Sequence, residues 1–248
     1  MSWMTYTREL QLSSIVELRQ YTLHPGKRNV LIELFERHFV DPQEEIGAEL
    51  IGQFRDLEKP DRFVWLRGFP DMSTRSKILE EFYTDPIWRA HREEANATMI
   101  DSDNVLLLRT AWLGSGFSLG HRETVGSNQN KPSLVTATIC YFEFPPEREF
   151  FVFFRGTVLT ILEQYGARWL AAFVTEYSPN NFPRLAAREG ENVFVWFSLF
   201  ANGASYNNHV RALEKSSDWL RIQTQFKEFL IKPVEILKLS PTPRSRLN

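Results

Sequence analysis

Hydrophobic and polar residues follow the same order of patterns in two sections of the chain. In the first section, apolar residues alternate over 15–23, which predicts a strand ending at the turn His24-Pro25-Gly26. An apolar stripe over 30–39 predicts an amphipathic helix. The remaining patterns predict strands at 48–56 and 62–69, a helical region around 78–88 that is broken at Asp85-Pro86, and a strand at 104–112.

The second section repeats the order strand, helix, strand, strand, helix, strand. Its patterns predict strands at 134–144, 167–177, 192–200 and 233–239, a helix from Pro145-Pro146 to about 165, and helical segments within 203–229. The two sections match at an offset of 120 residues early on and 131 residues later, where Trp65 falls on Trp196. The change of offset indicates an insertion at 178–191. A repeat of this length indicates a tandem duplication rather than a solenoid.

The repeated elements predict two domains, at residues 1–113 and 134–248, joined by a Gly-, Ser- and Asn-rich linker at 114–133. We expect the tail, 241–248, to be frayed. A βαββαβ unit forms a four-stranded antiparallel sheet with both helices on one face, the ferredoxin-like arrangement. Because two such sheets can cover each other's bare faces, we predict an α+β fold. Its tandem ferredoxin-like domains would form an intramolecular, pseudo-dimeric α+β barrel.

Charge and cysteine content restrict the function classes. The chain has 29 Lys and Arg residues and 31 Asp and Glu residues. Its net charge is therefore close to zero and does not favour nucleic acid as a partner. Cys140 is the only cysteine, which excludes an intrachain disulfide and fits a reducing compartment. No apolar run approaches the ~18 residues that span a bilayer, and residues 1–14 lack the pattern of a secretory signal. We therefore expect a cytoplasmic protein without a membrane span.

Four short motifs in the first section carry a family resemblance. They are Glu17-Leu18-Arg19-Gln20-Tyr21-Thr22-Leu23-His24-Pro25-Gly26, Gly52-Gln53-Phe54, Val64-Trp65-Leu66 and Asp85-Pro86-Ile87-Trp88. Over roughly residues 14–112 this set resembles the NIPSNAP family, whose domain belongs to the dimeric α+β barrel superfamily. The second section resembles the family in outline only. The resemblance implies a NIPSNAP-like domain at 1–113, a divergent one at 134–248, and a homo-oligomer.

The resemblance provides no catalytic mechanism. It implies a protein of undefined biochemical role that binds a small molecule or interacts with other proteins. The alternative is a cofactor-independent oxidoreductase or isomerase that acts on a small hydrophobic or aromatic acid inside the barrel. One fold hosts many activities, so the fold alone does not decide between the two.

The candidate site lies on the first strand, where Glu17, Arg19 and Tyr21 share one face because side chains alternate. We expect these three to point into the barrel and Val16 and Leu18 to point toward the helices. With Arg67 and Arg109 from later strands, Arg19 would clamp an anionic ligand, Glu17 would be the base and Tyr21 a proton donor. The structural alternative is a buried Glu–Arg pair that satisfies itself.

Histidines offer a second base and a cofactor alternative. His91 lies three residues after Trp88, on roughly the same helical face. It could act as the base, or hold a haem, the one alternative to a protein without a cofactor. The five histidines are scattered, so we expect no metal site.

The repeat confines these charges to the first section. By the offsets above, Ala137 replaces Glu17, Ile139 replaces Arg19, Ser198 replaces Arg67, Ser240 replaces Arg109, and Tyr141 alone retains Tyr21. We therefore expect a site, if the protein has one, in the first domain, with the second as a lid, scaffold or assembly surface.

Overall fold

The computed structural model describes residues 13–127 and 132–248. Residues 1–12 of the predicted first domain and 128–131 of the predicted linker lie outside this range. The first half contains β1 (Ile15–Leu23), α1 (Arg28–His38), α2 (Val40–Glu45), β2 (Glu49–Asp56), β3 (Arg62–Phe69), α3 (Met72–Thr84), α4 (Pro86–Asn96), β4 (Met99–Asp101) and β5 (Val105–Thr110).

The second half repeats this order. It contains β6 (Leu134–Phe142), α5 (Arg148–Phe153), a π-helical turn (Phe154–Val158), α6 (Leu159–Gln164), β7 (Arg168–Thr175), β8 (Asn192–Phe200), α7 (Gly203–Glu214), α8 (Ser217–Glu228) and β9 (Glu235–Pro241). The predicted elements are thus present, whereas α2, the short β4 and the π-helical turn were not predicted. No helix in the described part of the chain is long and apolar enough to cross a membrane.

Local sequence explains where the helices begin. Asp71 accepts a hydrogen bond from the backbone N–H of Thr74 at the start of α3. The predicted break at Asp85-Pro86 separates α3 from α4, because Asp85 caps α4 and Pro86 occupies its first turn, where no backbone N–H is needed. Asn202 and Ser216 cap α7 and α8 in the same way. Both halves therefore specify their second helical region with side-chain caps.

Eight strands close into one antiparallel barrel. In the first half the strand order is β5-β1-β3-β2 and in the second it is β7-β8-β6-β9, the order of a ferredoxin-like sheet. The two sheets join edge to edge where β2 pairs with β9 and β5 pairs with β7, and β4 adds a short strand beside β1. The predicted α+β barrel is confirmed. The domain boundaries at 113 and 134 stay predictions.

The inside of the barrel is an apolar core. It takes buried side chains from all eight strands, among them Val16 and Leu18 of β1. The other face of each sheet packs against helices, with Tyr21, Trp65 and Phe35 in the first half and Phe150, Phe194 and Trp196 in the second. The expected orientation of β1 was therefore wrong, because Val16 and Leu18 face the barrel while Glu17, Arg19 and Tyr21 face the helices.

Three connecting segments are more firmly packed than their composition suggests. The tail, expected to fray, buries Leu247 in the barrel core, and Arg244 bonds to Asp41 and to the backbone of Glu36. In the described part of 114–133, Phe117 also enters the barrel core. The insertion 178–191 lays Phe182 against the helices of the first half. Apolar side chains within these polar segments explain the difference.

Candidate functional site

A buried ion cluster centred on Glu17 joins β1 and β3. These strands pair antiparallel with Glu17 opposite Arg67, so both side chains emerge on the helix face. The Glu17 Oε2 atom accepts hydrogen bonds from Arg67 at 2.7 and 3.2 Å and from Arg19 at 3.0 Å. The ring of Trp65 lies beside both guanidinium groups, with its centroid 5.0 Å from Cζ of Arg67 and 5.5 Å from Cζ of Arg19.

The other carboxylate oxygen of Glu17 binds Arg75 from α3, at 2.7 Å. All four charged side chains are at most 1% exposed. Further donors of the arginines are used by neutral oxygens of Tyr21, Gln43, Asn180 and Asn181. Among the described residues, Glu17 is the only carboxylate that pairs with these three arginines.

This environment makes Glu17 a poor base. Burial alone would raise the pKa of Glu17, but the guanidinium groups of Arg67, Arg19 and Arg75 outweigh it and hold the pKa well below its usual range. Both carboxylate oxygens are also occupied by hydrogen bonds. The cluster therefore ties β1, β3, α3 and the loop at 180–181 together, and the structural alternative describes its contacts best.

Of the predicted site residues Tyr21, Arg109 and His91, Tyr21 lies in the cluster around Glu17 and the other two lie apart from it. Tyr21 belongs to the cluster, because its hydroxyl accepts a bond from Nε of Arg19 at 3.0 Å. Arg109 is exposed at the end of β5 and takes no part. His91 lies on α4, with its ring stacked on His38 at 3.8 Å between centroids. None of its described contacts reaches Glu17, Arg19 or Arg67.

Strand pairing corrects the comparison of the two halves by one residue. In β1 and β3, Arg19 lies opposite Trp65 and Glu17 opposite Arg67. In β6 and β8, the matching pairs are Thr138 opposite Trp196 and Thr136 opposite Ser198. Thr136 and Thr138, rather than Ala137 and Ile139, therefore replace Glu17 and Arg19, as Ser198 replaces Arg67. Tyr141 points into the barrel, so it is not the counterpart of Tyr21.

A cavity of about 660 Å³ opens at this place in the second half. It lies between the helix face of the sheet and helices α7 and α8. Its floor is formed by Thr136, Thr138 and Ser198 and its apolar walls by Leu162, Trp196, Phe200, Tyr206, Leu213, Trp219 and Phe226. The exposed side chains Glu214, Lys227 and Lys232 stand at its mouth. Its size lies within the usual range for ligand pockets, ~300–1,000 Å³.

The polar groups of the cavity are buried but largely unused by the protein. Thr136, Thr138 and Ser198 are each no more than 5% exposed, and their hydroxyls have no hydrogen-bond partner within residues 13–127 and 132–248. His209 of α7 also lines the cavity, and its Nδ1 atom lies 2.9 Å from the carbonyl of Tyr165. Burial lowers the pKa of His209, although the bond to Tyr165 opposes the shift. These groups can offer hydrogen bonds to a ligand.

Two features of the structure were not predicted but are visible in the sequence: the buried Arg75 and the polar pair Thr136 and Thr138. Arg75 occupies the apolar stripe of α3 with Ile78, Leu79 and Phe82, at the spacing i, i+3, i+4 and i+7. A charge on the buried face of a helix needs a buried partner. Thr136 and Thr138 are polar residues in a strand buried along its whole length. A cavity cannot be read from the sequence, because it depends on how helices sit on the sheet.

The comparisons with known proteins support the fold. Residues 16–113 match the family model described as NIPSNAP. The chain also resembles the structure of a candidate monooxygenase from Fusobacterium nucleatum, with 11% identity, 93% of each chain covered and a TM-score of 0.56. A second candidate monooxygenase, from Lactobacillus acidophilus, has 14% identity, coverage of 92% of this chain and 94% of the other, and a TM-score of 0.55.

A dye-decolorizing peroxidase from Bacteroides thetaiotaomicron has 6% identity, with 93% of each chain covered and a TM-score of 0.55. At such low identities the likeness shows the fold alone, an α+β barrel. A comparison with curated proteins finds no match.

Proposed function

We propose that this chain, which contains a NIPSNAP domain over residues 16–113, is a small-molecule-binding protein whose site is the cavity of the second half. The observation that carries the proposal is the cavity itself, with apolar walls and three unpartnered hydroxyls on its floor. An apolar pocket with a few convergent polar groups is the usual form of a ligand site.

The contrast between the two halves supports this location. Glu17, Arg19 and Arg67 fill the space between sheet and helices in the first half, where they bond to one another. At the equivalent positions the second half has the short side chains Thr136, Thr138 and Ser198. The change from long to short side chains accounts for the open space. The half without the charge cluster is therefore the one that can accept a ligand.

The alternative of an enzyme acting inside the barrel receives less support. The barrel is filled by side chains from all eight strands, among them Phe54, Phe173 and Phe197. Glu17, the proposed base, lies outside the barrel with its carboxylate fully engaged. His91, the second proposed base and the candidate haem ligand, does not line the cavity, whereas His209 does.

Binding of the neutral fluorescent probe N-phenyl-1-naphthylamine tests the proposal. We expect the native protein to bind it with a rise in fluorescence. Ser198→Phe places a ring in the cavity and should weaken binding by about tenfold or more. Ser217→Phe, at an exposed position of α8, is the matched control and should leave affinity unchanged. Equal affinity in all three proteins would refute the assignment to this cavity.

Tandem duplication, homo-oligomeric assembly and a cytoplasmic location are three further proposals. The same order of elements and the same strand order in both halves support a tandem duplication. Exposed apolar residues such as Phe144 and Val152 support homo-oligomeric assembly, and light scattering of the purified protein measures it. The cytoplasmic location rests on the sequence and is tested by microscopy of a tagged chain.

A further inference from the structure

Resting on the proposed binding function, we infer that the ligand is a neutral, planar aromatic compound of the phenol class, whose hydroxyl hydrogen is accepted by Nε2 of His209. Four features of the cavity lead to this ligand class: its floor, its walls, the placement of its charges and the state of its histidine.

The floor offers hydroxyls at a spacing set by the sheet. Thr136 and Ser198 are directly opposite across β6 and β8, and Thr138 lies two residues further along β6 on the same face. Opposite positions are about 5 Å apart and positions two residues apart about 7 Å. A hydroxyl both donates and accepts, so these groups suit ligand oxygens that are themselves hydroxyl or carbonyl groups.

The walls favour a flat aromatic body. Trp196 rises from the sheet beside the floor, and Trp219 and Phe226 face it from α8. Aromatic side chains make favourable offset-stacked or edge-to-face contacts with another ring, in addition to the area they bury. A planar ring system would therefore gain more from these walls than a flexible aliphatic chain.

The charges argue against an acid at the inner end. Among the described lining residues, the formally charged ones are Glu214, Lys227 and Lys232, and all three are exposed at the mouth. A carboxylate at the floor would lose its hydration without gaining a cation, which is strongly unfavourable. The expectation of a small acid as the ligand, drawn from Arg19 and Arg67, therefore does not transfer to this cavity.

His209 supplies a hydrogen-bond acceptor. A carbonyl oxygen only accepts, so the contact with Tyr165 places the hydrogen of the neutral imidazole on Nδ1. Nε2 is then an acceptor with no protein donor within the described residues. The ring also lies 5.0 Å from that of Phe200, a wall residue. A phenolic hydroxyl can donate its hydrogen to Nε2, whereas a plain hydrocarbon leaves Nε2 without a donor.

Competition against N-phenyl-1-naphthylamine with naphthalene, 2-naphthol and 2-naphthoate at neutral pH tests the ligand class. We expect 2-naphthol to bind about five- to tenfold more tightly than naphthalene, the contribution of one or two hydrogen bonds. We expect 2-naphthoate to bind no more tightly than naphthalene. Naphthalene is the reference compound without a hydrogen-bonding group. Absence of N-phenyl-1-naphthylamine binding to the native protein would refute the proposed function together with the inference.

Single substitutions test which cavity residues make 2-naphthol bind more tightly than naphthalene. Thr138→Val and His209→Phe should each reduce the ratio of 2-naphthol affinity to naphthalene affinity to a few-fold or less, because both remove a polar group and keep the shape of the side chain approximately. Thr224→Val, on α8 outside the cavity, is the control and should keep the full preference. Ser198→Ala removes a floor hydroxyl with little change in volume and serves if another variant fails to fold.

Either of two affinity comparisons would overturn the ligand class while leaving the cavity as a binding site. One is equal affinity for naphthalene and 2-naphthol in the native protein. The other is tighter binding of 2-naphthoate than of 2-naphthol. Haemin added in the same competition gives a third contrary result, if it displaces the probe with an absorption shift that is lost in His209→Phe.

Discussion

At the scale of single residues, one carboxylate holds together three buried arginines. Glu17 bonds to Arg19, Arg67 and Arg75, and neutral oxygens bind the donors that remain. Favourable pairing offsets the loss of hydration only while Glu17 is charged. Because the pKa of Glu17 is held well below its usual range, this contribution is complete above pH ~4.5 and is lost as the pH falls toward the folded-state pKa.

Replacing Glu17→Gln keeps the shape of the side chain and removes its charge. We expect the free energy of unfolding at pH 7 to fall by about 3–5 kcal/mol, because three buried cations lose their counter-charge. Urea denaturation measures the change. Glu80→Gln is the matched control, since the Glu80–Arg184 pair is more than half exposed and should contribute almost nothing. A loss for Glu17→Gln no larger than the control would show that the cluster does not stabilise the fold.

At the scale of elements, the patterns of apolar residues predicted which strands and helices form, but not which face of a strand lies inside the barrel. Both faces of β1 are buried, one in the barrel core and one under the helices. Alternation then separates Val16 and Leu18 from Glu17 and Arg19 without saying which pair points inward. A register error of one residue in β6 similarly moved the comparison from Thr136 to Ala137, on the opposite face.

The tail shows that composition alone does not predict whether a segment is packed. Residues 241–248 are polar apart from Pro and Leu, yet Leu247 packs in the barrel core. We expect Leu247→Ala to lower the free energy of unfolding by about 2–5 kcal/mol, because Leu247 is 2% exposed and its removal leaves a cavity. Leu220→Ala, at a position 52% exposed on α8, should change stability by less than ~0.5 kcal/mol. Thermal denaturation of both variants distinguishes a packed tail from a frayed one.

At the scale of the whole molecule, the two halves depend on each other through the barrel. The joints between the sheets are short, with three residue pairs between β2 and β9 and three between β5 and β7. The core that they enclose is shared, because each sheet contributes one wall of it. The first half alone would therefore expose the apolar inner face that carries Val16, Leu18 and Leu66, together with two unpaired strand edges.

This dependence predicts how a fragment behaves. Residues 1–127, expressed alone, should self-associate at micromolar concentration, because a second copy can cover the exposed inner face as β6–β9 do in the full chain. Adding separately expressed 128–248 should convert the fragment to a one-to-one complex, since the native partner restores the pairs at both joints. Light scattering after size exclusion measures the masses. A fragment that stays monomeric, folded and indifferent to 128–248 would show that each half is stable without closing the barrel.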